Sequence, residues 1–560
     1  AYVGLSNLSI NVWDLNTLQL IRAFTNQEEL GKDMVLSVGL YNNCIFKALT
    51  SGGILKITLR SAWDRLAMTE EVKIQEHNGL VSVDHQNNSP DPVLTLKIFE
   101  HKDSAFLVCG GSNFVSLWDV TAVGDKKIDS SRLHVKDKFE LQYDNDHLLR
   151  VLHTYVSYRT VSRYPSLYIE DSRSCARFLT KLFIGLSASN TKLIPVDTGN
   201  PIVYLMFRKS QPTSANTKPT RVLWYAHYDV VDAIVDNNWN TDPFCLTPKQ
   251  ENLYGRGVSD NKGPTLAAIF AVAELFHKKQ LSCDVVFIIE GEEECGSIGF
   301  QDVITRNKEM IGEIDWVMLS NLYWLDDEVP CLNYGLRGVI NATITVESEQ
   351  PDRHSGVDGG VLREPSMDLI HILGQLVDPK DGTVKIPGFC DDVLPLSKQE
   401  MEFYEKIREQ DVKQLVAKWR NPSLTVHKME FSGPNNNTVI PQTVSALILI
   451  RVVPNQDLSK IKLLLCKYVE GLAEELNSEN EVSVNIFHEA EPWLGDPSNQ
   501  VYQILFRNLK KNWGPTVPEP LFIREGGSIP LVRFLEKAFN APAAQIPCGQ
   551  ASDNAHLNNE

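Results

Sequence analysis

The chain has no apolar run of the roughly 18 residues that a membrane helix needs, and no basic-then-apolar leader opens it. A membrane is therefore not an expected partner. It also lacks any dense Lys/Arg run, and 54 Lys+Arg against 71 Asp+Glu leave a net charge of -17. Such a charge repels phosphate backbones, so nucleic acid is not an expected partner either. The ten cysteines include no Cys-x-x-Cys pair. Neither a thiolate zinc site nor a disulfide framework is indicated, and scattered cysteines fit reduced thiols in a cytoplasmic protein. An initiator Met is missing too, since the first residue is Ala1; natural sequence is expected upstream.

What is present is an average globular composition, 43% hydrophobic and 22% charged. A chain of 560 residues exceeds the roughly 250 to 300 that one core supports, so two or three domains are expected. Residues 1–135 read as short strands between polar turns. Ser9-Ile10-Asn11-Val12-Trp13-Asp14-Leu15 and Asn113-Phe114-Val115-Ser116-Leu117-Trp118-Asp119-Val120 each alternate and end in Trp-Asp, and Ser51 to Ile57 is similar without the dipeptide. This resembles WD-repeat sequence. A blade takes about 40 to 45 residues and a propeller at least four blades, so the segment is read as part of an all-β propeller with further blades upstream.

The polar stretch Asp125 to Lys138 reads as a linker. From residue 145 helices alternate with apolar strands, among them Arg221 to Ala226 and Asp284 to Ile289, which predicts an α/β sheet. The texture changes after Gly338, where Val339 to Glu347 and Val444 to Val453 alternate like half-exposed strands, with helices predicted over Pro365 to Leu376 and Gln399 to Trp419. The reading is an α/β catalytic domain in two parts, 145–339 and 488–560, split by an inserted α+β lid at 340–487.

Polar groups cluster at the ends of these strands, where an open α/β sheet places its site. His227-Tyr228-Asp229 follows the first strand. A neutral imidazole suits a metal, and a carboxylate two residues on can hold its other ring nitrogen. Tyr254-Gly255-Arg256-Gly257-Val258-Ser259-Asp260-Asn261-Lys262-Gly263 brings one carboxylate to the mouth of a helix. Glu290-Gly291-Glu292-Glu293-Glu294 ends a buried strand, where crowded like charges need compensating cations. Pro547 to His556 adds a single histidine. Each alone is more often structural; the combination is what matters.

In this order the segments resemble the M20 metallopeptidases, the carnosinase-like branch in particular. Trp239 to Phe244, Tyr334 to Gly338, His354-Ser355-Gly356, Thr438 to Pro441 and Arg524 to Pro530 extend the match. The resemblance implies two zinc ions per subunit, Asp260 bridging them, His227 on one, Glu294 and His556 on the other, with Glu293 as general base. It implies that Asp229 orients His227, that the Asp260–Asn261 peptide is cis, and that the lid makes a homodimer in which His354 reaches the partner's site. Arg420 and Ser528 would hold the substrate carboxylate, and His488 would be a further contact. One position departs from the family: Asn321 stands where a ligand Asp belongs, which weakens the His227-side metal. The family's closing helix after His556 is also absent from the sequence, and truncation is the expectation.

WD repeats joined to an M20 domain resemble the large subunits of fungal glutathione-degradation complexes, which implies a glutamine-amidotransferase-like partner and cleavage of glutathione or related peptides. Two readings stay open. The chain is a zinc peptidase acting on dipeptide or γ-glutamyl bonds, or it is a degenerate M20 scaffold or substrate binder whose partner does the cleavage.

Overall fold

The computed structural model describes the backbone of ten strands between Tyr2 and Asp119 and then all residues from Asn145 except 211–217, 234–238, 251, 408–410, 435 and 514–517. The chain divides into two compact units, Ala1–Val203 and Tyr204–Glu560. No helix among the described residues is long and apolar enough to cross a membrane.

The ten strands between Tyr2 and Asp119 form three antiparallel sheets of three, four and three strands. Both Trp-Asp segments lie on strands, Ile10–Asp14 and Val115–Asp119, and the related segment on Ile54–Thr58. The side chains of Trp13 and Trp118 and the predicted linker at 125–138 lie outside the described residues. Helices Asn145–Val156 and Pro165–Gly185 follow. The second begins with proline, whose fixed φ suits a first helical position and whose missing N–H costs nothing there.

In the second unit ten strands carry the argument: β1 (Arg221–His227), β2 (Asp284–Glu290), β3 (Trp316–Leu319), β4 (Cys331–Leu336), β5 (Gly338–Glu347), β6 (Ser423–Phe431), β7 (Thr443–Val452), β8 (Glu481–Ala490), β9 (Leu521–Glu525) and β10 (Ala543–Gln545). The central part of the first, nine-stranded sheet runs β2-β1-β3-β10-β4, with β9 also on β4. Strands β2, β1, β3 and β10 are mutually parallel. Every residue of β2 is buried, as expected of a parallel strand covered on both faces. The register sets His227 opposite Glu290 and Tyr225 opposite Leu319. The carboxyl ends of β1, β2 and β3 therefore converge on one edge.

The second sheet, in the order β6-β7-β5-β8, is antiparallel throughout. In β7 burial alternates residue by residue, so one face packs. Ile344, Ile448 and Ile450 meet Leu369 and Ile372 of α1 (Pro365–Leu376) and Leu465 and Val469 of α2 (Leu458–Leu476). The single helix predicted over 399–419 is two, Lys398–Glu405 and Val412–Trp419. Asp411 caps the second, accepting the Lys413 N–H at 2.9 Å. A side-chain acceptor at that point satisfies a free helical donor and starts a new helix.

Candidate metal centre

Strand β1 ends in His227, whose side chain is fully buried. Its Nδ1 lies 3.2 Å from the carbonyl of Asp229 and 3.5 Å from that residue's carboxylate. A carbonyl can only accept, so Nδ1 carries the ring proton. Nε2 then faces Asp260 Oδ1 at 3.1 Å. A lone pair facing a carboxylate oxygen requires something positive between them, a second ring proton or a cation.

Asp260 is brought there by the Gly-rich turn before the helix Gly263–His277, through a cis Asp260–Asn261 peptide. Glu294 comes from the loop after β2, a 3₁₀ turn Glu293–Cys295. Gly291 opens that loop against Tyr228, where a Cβ would sit 2.3 Å from the ring. Asp229 holds the turn, accepting the N–H of Glu293 at 3.2 Å and of Glu294 at 3.0 Å. His556 Nε2 lies 3.2 Å from Asp260 Oδ2 and 3.3 Å from Glu294 Oε2. One ligand atom each from His227, Asp260 and Glu294 lies within 4.8 Å of the others.

The electrostatics fit this crowding. Burial alone would lower His227, but hydrogen bonds with Asp229 and Asp260 outweigh it and hold the ring well above its ordinary range. Hydrogen bonds with Asp260 and Glu294 raise His556 to about 10. Burial opposes ionisation of Asp260, yet the two histidines hold it below the usual carboxylate range. Burial pushes Glu293 up to about 8, His227 opposing and the neighbouring carboxylates adding to the rise. Glu294 Oε1 is buried with no hydrogen-bond partner among the described residues. An acid-rich pocket that draws protons onto its histidines and leaves a carboxylate oxygen unpaired is chemically suited to a cation.

Residues 223–560 match the sequence pattern of peptidase family M20/M25/M40. The chain belongs to this family. The M20 region is 36% identical over 364 residues to the Cys-Gly metallodipeptidase dug1 of Schizosaccharomyces pombe, covering 60% of this chain and 75% of that one. The whole chain is 39% identical to the probable di- and tripeptidase DUG2 of Saccharomyces cerevisiae and spans 63% of that protein's length. The solved structure of the dipeptidase Dug1p of Saccharomyces cerevisiae superposes with a TM-score of 0.64 at 30% identity, covering 74% of this chain and 91% of that one.

Other residues singled out from sequence lie as follows in this M20 structure. Asn321, just past β3, has Oδ1 2.5 Å from the N–H of Leu322 and Nδ2 3.4 Å from His227 Nε2. An N–H must meet the amide oxygen, so Asn321 turns its NH2 group toward the imidazole. Exposed His354 pairs with Val439 in a two-stranded sheet, accepts the Gly356 N–H at 3.0 Å and caps the short helix Ser355–Asp358. Arg420 is buried, donating to the carbonyls of Leu394 and Pro395 and pairing with Glu400. Ser528 donates to the Arg337 carbonyl at 2.6 Å and accepts from Arg451 at 2.8 Å. His488 on β8 lies against Gly296, at the end of the Glu293–Cys295 turn.

Sequence reasoning missed Tyr323 and Glu560. The Tyr323 hydroxyl is 3.4 Å from Asp260 Oδ2, and Glu560 accepts the Asp260 N–H at 3.0 Å. Tyr323 lies two residues past Asn321, a position its neighbour could have flagged. Nothing local marks Glu560.

Proposed function

We propose that this chain is a metal-dependent peptidase that hydrolyses dipeptides or γ-glutamyl peptides and acts in the degradation of glutathione. The observation that carries the reading is the cation-demanding cluster of His227, Asp260, Glu294 and His556 beside a separate half-buried carboxyl, Glu293. Relatives named as peptidases support it, and Cys-Gly, in the name of one of them, is the carboxyl-terminal dipeptide of glutathione.

The donor set of ring nitrogens and carboxylates suits zinc, and the unpaired Glu294 Oε1 is an atom that an ion would satisfy. His227, Asp260, Glu294 and His556 would hold two zinc ions per subunit, with Asn321 a weak contributor. Bound zinc supplies Lewis acidity toward the scissile carbonyl and acidifies the attacking water. Glu293 accepts that water's proton on its carboxylate and hands it to the leaving amine nitrogen. Asp229 fixes both His227 and the Glu293 main chain, so base and ligand keep one geometry. Arg420 and Ser528 would hold the substrate carboxylate, Arg420 exchanging Glu400 for it, and His488 would be a further contact.

Purified full chain should carry about two zinc and cleave Cys-Gly, while Glu293→Gln should keep its metal and lose about 10² to 10⁴ in kcat. A chain with neither metal nor turnover would sink the reading.

Asn321 favours a second reading, since its NH2 group faces His227 where a carboxylate would help hold a cation. There the M20 domain is a scaffold or substrate binder and a glutamine-amidotransferase-like partner performs the cleavage. Glu293→Gln would then leave the activity of the complex nearly unchanged.

We further propose that 340–487 is a lid through which two copies pair, His354 reaching the partner's site, and that 145–339 and 488–560 form the catalytic domain. Residues 1–135 would belong to a WD-repeat propeller, supported by the strands at both Trp-Asp segments. The described cysteines are free, which supports a cytoplasmic location.

A further inference from the structure

His556 is half exposed and belongs to a segment whose only regular element is the 3₁₀ turn Ala551–Asp553. Its own φ is +64°, in the left-handed region that is uncommon for residues other than glycine. The support lies four residues on. Glu560 is buried at 4% exposure and spends both carboxylate oxygens on the Asp260 loop. Oε1 accepts the N–H of Asp260 at 3.0 Å and the N–H and hydroxyl of Ser259 at 3.3 and 3.2 Å. Oε2 pairs with Arg256 at 2.5 Å, and the Glu560 carbonyl accepts the Gly255 N–H at 2.8 Å. Arg256 in turn donates to the Leu557 carbonyl at 2.9 Å and lies over the Trp239 ring at 5.1 Å. Every one of these bonds joins the segment carrying His556 to the loop carrying Asp260, across some 300 residues of sequence.

We propose that Glu560 is a positioning residue: clamped between Arg256 and the Asp260 N–H, it holds His556 against Asp260 and Glu294 and so sets the affinity of that end of the cluster for a divalent cation. This rests on the metal-binding reading given above. The geometry supports this because the segment's bonds to the 322–327 loop all lie before Asp553, His556 and Leu557 are themselves largely exposed, and a buried carboxylate with charged and N–H partners has one favourable arrangement.

The test is calorimetric titration of zinc into the metal-stripped full chain for wild type, Glu560→Ala, His556→Ala and the double variant, with a thermal melt of each stripped protein. Glu560→Ala should weaken one zinc about 10 to 100-fold, and the double variant should bind no more weakly than His556→Ala alone, because both changes act through one contact. Should Glu560→Ala not fold, Glu560→Gln, which keeps an acceptor but loses the charge opposite Arg256, should show a smaller loss in the same zinc. A melting temperature that falls while zinc affinity stays at the wild-type value, or independent effects in the double variant, would overturn the proposal and leave the metal site standing. A wild type that takes up no zinc would refute the metal reading and this inference with it.

Discussion

The amide of Asn321 is oriented by the main chain next to it: Oδ1 takes the Leu322 N–H, and Nδ2 is left facing His227. Replacing that NH2 by a second carboxylate oxygen changes no shape but adds a negative charge where His227 and Asp260 meet. Asn321→Asp is therefore expected to tighten the His227-side zinc by about tenfold or more, read by titration of the stripped protein; an unchanged affinity would place Asn321 away from the cation. His227, Asp260, Glu294 and Glu293 were legible at this scale because each lies in a local signal, a strand end or a Gly-rich turn. Glu560 and Arg256 were not, since their meaning lies in a bond between residues 304 positions apart. No window of sequence holds both.

Within the second sheet's packing, Asp368 on α1 is fully buried and pairs with Arg363, with hydrogen bonds from Asn480 at 2.8 Å and from Ser478. Burial raises its carboxyl, but these partners outweigh burial and hold it below the ordinary carboxylate range. A folded pKa below the unfolded value, about 3.9, means the stabilisation is fully present above that pH and is lost as pH falls through the folded pKa. Asp368→Asn should lower stability at neutral pH by about 1 to 3 kcal/mol and flatten the acid limb of a plot of melting temperature against pH. If wild type and variant lose stability in parallel below pH ~4, the ion pair contributes nothing. Ile448→Ala, in the fully buried face of β7, should cost about 2 to 5 kcal/mol in chemical denaturation. The alternation in β5 and β7 was legible because both are central strands with one packed face. In β6, an edge strand, most residues are exposed, so no period-two signal marks it.

For the molecule as a whole, cations bound to the native state alone stabilise it by mass action. Chelation should lower the melting temperature of the full chain by several degrees and zinc should restore it; a melt indifferent to both would leave the acidic cluster without an ion to compensate it. Light scattering should give twice the chain mass if two copies pair through 340–487, and a monomer at micromolar concentration would remove the role proposed for His354.

By itself the sequence determined the periodicities, the apolar strands and the polar residues at their ends, because these depend on neighbours along the chain. Asp260, Glu294 and His556 could be named from it. The tertiary structure alone decided which way the Asn321 amide points, which oxygen of Glu294 is unpaired, and what holds His556 in place. Those are properties of groups that meet only after β1, β2 and β3 align their ends and a segment hundreds of residues distant closes over them.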